Sequence, residues 1–147
     1  VFRKGALNVQ PRDQDEEDIF SNNTVLYGCV SGSIGCIIPL NEELFRFFHS
    51  LEKGMRTVVH GVGGFSHEEW RSFHTVQRAT YTFNQSHGHN KNVVDGDLVE
   101  TLMDLSQEQM EQVVKFVNDD LIAAGFITEP IHFDEAIKRV EEMTRTH

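Results

Sequence analysis

Only two cysteines occur among the 147 residues, Cys29 and Cys36, so no disulfide framework holds this fold. No run of about 18 apolar residues exists, so no segment reads as a membrane-spanning helix. Base is scarce: 13 Lys and Arg stand against 23 Asp and Glu, and the net charge is −10. No basic run or basic amphipathic stripe stands out, and a general grip on phosphate needs one. The opening Val1-Phe2-Arg3-Lys4 shows neither an initiator Met nor a signal-peptide pattern, which leads to the expectation of a piece of a longer protein. What is present is core material. Hydrophobic residues make up 39%, with 11 Phe. A chain of this length can bury about two-thirds of its unfolded surface, which excludes a disordered tail.

The apolar pattern changes period along the chain. Residues 1 to about 10 read as a strand through Phe2, Leu7 and Val9. Asp13, Asp15, Glu16, Glu17 and Asp18 then mark a solvated acidic loop. Residues 24–40 read as a hairpin, rich in β-branched and apolar residues on either side of Ser31-Gly32-Ser33. A two-residue type II′ turn at Gly32-Ser33 would set Cys29 opposite Cys36, as two small free thiols filling a core face. Gly28 and Gly35 suggest close approach by a neighbouring layer.

After Pro39 the spacing of Leu40, Leu44, Phe47, Phe48, Leu51, Met55, Val58 and Val59 predicts an amphipathic helix of about 18 residues. Asn41 is its N-cap, and Gly61, Gly63 and Gly64 end it. Ser66-His67-Glu68-Glu69 is a capping-box pattern, so Ser66 should start a short helix carrying Trp70 and Phe73. Residues 76–92 are polar and contain His87-Gly88-His89, as in a long surface loop. Asp95 should cap a helix through Leu98, Val99, Leu102 and Leu105. Ser106 with Gln109 forms a second box before Met110, Val113, Val114, Val117, Leu121 and Ile122, with Gly125 closing that helix. Phe133, Ile137, Val140 and Met143 make a last helix. The fold class is therefore α+β, with antiparallel strands in residues 1–39 and an all-helical block in 40–147. Three strands cannot bury both faces of a sheet, so chain missing here, or packing on the helices, should complete it.

The tempting chemistry does not assemble. His67 and His74 lie seven apart, whereas the zinc-helix pattern spaces its two His by four, and no third ligand is specified. Asp95-Gly96-Asp97 lacks the carboxylate of a calcium loop near the twelfth position. No nucleophile elbow appears. Gly61-Val62-Gly63-Gly64 has no Lys-Ser/Thr ending and follows a helix, so it reads as a terminator rather than a phosphate loop. Neither a catalytic group, a metal nor a cofactor is expected, and the protein should not be an enzyme. Trp70, Arg71, Phe73 and His74 are more distinctive. They either dock an aromatic surface into the core or anchor a partner, and the second composition is that of interface hot spots.

Trp70-Arg71-Ser72-Phe73-His74-Thr75, followed by Val94-Asp95-Gly96-Asp97-Leu98-Val99-Glu100, resembles the C-terminal region of the cleavage and polyadenylation specificity factor A subunit family. The Trp-Arg-Ser-Phe-His run resembles its damaged-DNA-binding branch more than its splicing and polyadenylation relatives. The hairpin from Leu26 to Gly35, the Gly5-Ala6-Leu7 segment and residues 140–147 fit as well. Residues 76–92 look longer than the family pattern, and 118–131 read differently through Leu121 and Ile122. The resemblance implies last strands of a β-propeller in residues 1–39 and a C-terminal helical domain in 40–147. It implies a non-catalytic adaptor of a cullin-RING E3 ubiquitin ligase linked to DNA repair, nuclear and cytoplasmic. Its partners would be a cullin and WD-repeat substrate receptors, with DNA reached indirectly and no membrane or small-molecule substrate. Trp70, Arg71, Phe73 and His74 would then make partner or interdomain contacts. The alternative is a scaffold subunit of a pre-mRNA cleavage/polyadenylation or splicing complex, with nucleic-acid association.

Overall fold

The computed structural model describes residues 2–4, 24–67, 69 and 92–145. The architecture is α+β. Strands β1 (Phe2–Lys4), β2 (Val25–Gly28) and β3 (Ile34–Ile37) form an antiparallel sheet in the order β1-β2-β3. The α-helices described are α1 (Glu42–Val58), α2 (Gly96–Glu100), α3 (Gln107–Ala123) and α4 (Phe133–Thr144), with 3-10 turns at Val62–Gly64 and Thr101–Asp104. Two compact units result, Val1–Arg46 with Glu129–His147, and Phe47–Thr128.

The first unit contains the sheet. Its hairpin departs from the two-residue turn. Leu26, not Cys29, pairs with Cys36, and Gly28 pairs with Ile34. The Cys29 amide donates to the Ser33 carbonyl at 2.8 Å, and the Gly32 amide donates to the Cys29 carbonyl at 3.0 Å. Val30-Ser31-Gly32 is thus a three-residue loop, closed by Gly32 at φ 90. A type I turn followed by a left-handed residue also suits the strand twist, and glycine adopts that backbone without penalty. The register moves by an odd number of residues, which exchanges the two faces of β3. Cys29 is exposed and Cys36 half-buried, both as free thiols, so they do not fill a core face together.

Only one of the two strand glycines is closely approached. A Cβ on Gly28 would meet nothing within 4 Å, while one on Gly35 would lie 2.5 Å from Cζ and Oη of Tyr27. The neighbour at Gly35 is therefore the aromatic ring of its own cross-strand partner, not another layer. Gly35→Ala should displace that ring and cost about 1–3 kcal/mol. Chemical denaturation reads the loss, and in a Tyr27→Ala background the same substitution should be nearly neutral.

Apolar side chains stand in the open on both sides of the sheet. Cross-paired residues share a face, which puts Phe2, Tyr27 and Ile37 on one side and Leu26, Cys36 and Ile34 on the other. Phe2 is 71% exposed, Ile34 68% and Ile37 52%. Among the described residues, no further strand pairs with the outer edge of β1 or β3. In the same unit Ala136, Val140 and Met143 form the buried stripe of α4, and Leu44 is buried near the start of α1. Asn41 Oδ1 accepts from the Leu44 amide at 2.8 Å, capping α1. Arg139 joins Glu135 at 2.8 Å and Glu43 at 3.3 Å, linking α4 to the first turn of α1.

The second unit holds a core of Phe47, Phe48, Leu51 and Met55 from α1, Leu98, Val99 and Leu102, and Val113, Val114, Val117 and Leu121 from α3. Gly54 lets α1 approach α3: a Cβ there would lie 3.1 Å from Phe116 Cδ1 and 3.3 Å from Val113 Cγ1. The buried Ser50 hydroxyl donates to Asp120 Oδ2 at 2.8 Å and ties the same two helices together. Two details differ from the sequence pattern. The helix after Asp95 stops at Glu100, and Thr101–Asp104 tightens into a 3-10 turn. Thr101 Oγ1 donates back to the Leu98 carbonyl at 2.7 Å, a local bond that competes with regular helix. Ile122 is exposed rather than in the stripe. Gly125 ends α3 as expected, at φ 74, with its amide on the Ile122 carbonyl and the Phe126 amide on that of Leu121.

Candidate functional site

Ser66 is where the second unit prepares the distinctive segment. The Glu69 amide donates to Ser66 Oγ at 3.2 Å, and the Ser66 amide donates to Glu69 Oε2 at 2.8 Å. The Ser66 hydroxyl donates to the same carboxylate oxygen at 2.8 Å. Each residue satisfies a donor that the first helical turn would otherwise leave open. Trp70, Arg71, Phe73 and His74 follow directly in sequence and lie outside the described residues, as do 76–91 of the polar loop.

The Ser66 amide, and then its hydroxyl, hold the Glu69 carboxyl below the usual carboxylate range. A folded-state pKa below the unfolded one gives stability that is present above the ordinary glutamate pKa. It is lost as pH falls through the lowered folded value. The Ser66–Glu69 turn should therefore loosen in acid, below the ordinary glutamate pKa. Amide exchange at Glu69, followed on acidification in the wild type and in Ser66→Ala, reads the effect. The variant should lose the acid dependence.

Asp95 does not do what its position suggests. It sits at the N-cap of α2 with φ −80 and ψ 99, and its carbonyl accepts from the Val99 amide at 3.2 Å, but its side chain makes no capping hydrogen bond. Its Oδ2 instead lies 2.9 Å from His67 Nε2, with both side chains largely buried. His67 lies just before one run that carries the family resemblance, residues 70–75, and Asp95 lies within the other, residues 94–100. Ser106, the third expected cap, accepts from the Gln109 amide, and Gln109 Oε1 accepts from the Ser106 amide at 3.1 Å.

The pair links the Ser66 box to the start of α2. A His-carboxylate pair serves catalysis only when it can activate a nucleophile or a water next to a substrate site. Among the described residues no group of three His, Cys, Asp or Glu could hold a metal ion. One buried group escaped the sequence pattern: Glu52 is only 5% exposed and bonds Arg56 Nη2 at 2.7 Å. The i,i+4 spacing of an acid and a base was the available signal for it.

The profile described as the CPSF A subunit region matches residues 1–104. The chain belongs to this family. The family region takes in the sheet, α1, the Ser66 box, the His67–Asp95 pair, the 70–74 segment and the turn that ends at Asp104. Helices α3 and α4 lie beyond it, yet likeness to individual members continues through them. The chain is 37% identical over 146 residues to DNA damage-binding protein 1a of Arabidopsis thaliana and 38% identical to DNA damage-binding protein 1b of the same plant. It is 36% identical to DNA damage-binding protein 1 of Solanum lycopersicum. Each of these alignments covers 99% of this chain and 11% of the relative, so the chain spans a small part of the length of the family members it matches.

Proposed function

We propose that this chain is a structural module of a non-catalytic scaffold in DNA-damage-binding complexes. The observation that carries the reading is its likeness, over 99% of its length, to proteins named DNA damage-binding protein 1. In the finer form of the proposal, residues 1–39 are closing strands of a β-propeller, and 40–147 are the C-terminal helical domain beside it. The open strand edges and the exposed Phe2, Ile34 and Ile37 support a sheet that other chain completes. The intact protein then acts as adaptor of a cullin-RING E3 ubiquitin ligase, in nucleus and cytoplasm. It binds a cullin and WD-repeat substrate receptors, and reaches DNA through them. Trp70, Arg71, Phe73 and His74, which follow the Ser66 box in sequence, supply partner or interdomain contacts. Affinity purification of the full-length protein, followed by mass spectrometry, tests this. A cullin and WD-repeat proteins are expected. Recovery of cleavage, polyadenylation or splicing factors without them would overturn the adaptor role in favour of the RNA-processing scaffold.

A further inference from the structure

We draw no further inference here: the strongest candidate, the exposed apolar residues Val30, Ile34 and Ile37 on the turn and outer strand of the hairpin, belongs to the sheet completion already proposed, and nothing in the structure shows what else covers them.

Discussion

Phe48→Ala is expected to destabilise the protein by about 3–5 kcal/mol. The ring is fully buried and meets Phe47 edge to face, with centroids 5.2 Å apart. Truncation removes the transfer free energy of an aromatic ring and leaves a cavity that α1 cannot close. Leu51 and Met55, further buried apolar residues of that helix, are themselves fully enclosed. A loss of this size is a large part of the ~5–15 kcal/mol that a domain has. Urea denaturation should show a lower midpoint with an unchanged slope. Phe48→Leu keeps most of the volume and should cost clearly less. A Phe48→Ala effect below about 1 kcal/mol would mean that this face of α1 is not core.

Glu52→Ala should be the next most damaging change, at about 2–3 kcal/mol. Its carboxylate is almost wholly enclosed, and Arg56 is three-quarters buried beside it. Removing the acid leaves a guanidinium partly desolvated without that counter-charge, which is the costly way to break a buried pair. The figure sits below the range for fully buried pairs because Arg56 still reaches water. Replacing both residues, Glu52→Leu with Arg56→Leu, should recover most of the loss, because a packed apolar pair needs no compensation. Equal losses in the single and double variants would show that packing, not charge, matters at this position.

Local signals were legible in the sequence, and long-range ones were not. The three- and four-residue steps of Leu44, Phe47, Phe48, Leu51 and Met55 encode α1 directly, because one helical face is dry. The boxes at Ser66 and Ser106 are equally local, since both partners lie within one turn. Asp95 looked like a cap because its backbone is one. Its carboxylate partner His67 lies 28 residues earlier, and no spacing rule links them. The hairpin register failed for another reason. Ser31-Gly32-Ser33 satisfies both a two-residue and a three-residue loop, and only the bond between Cys29 and Ser33 decides between them. Ala136 is buried in α4, yet its small side chain adds little to the apolar stripe that marks that helix in the sequence.

The physical core of the proposal is that β1-β2-β3 is part of a larger sheet. Amide hydrogen exchange of this chain alone, set against the same residues in the full-length protein, tests that most directly. The outward-facing amides of Phe2–Lys4 and Ile34–Ile37 should exchange fast in the isolated chain and slowly in the intact protein, while the interior of α1 changes little. Equal exchange at both strand edges in the two contexts would contradict it, because no strand would then be added at either side.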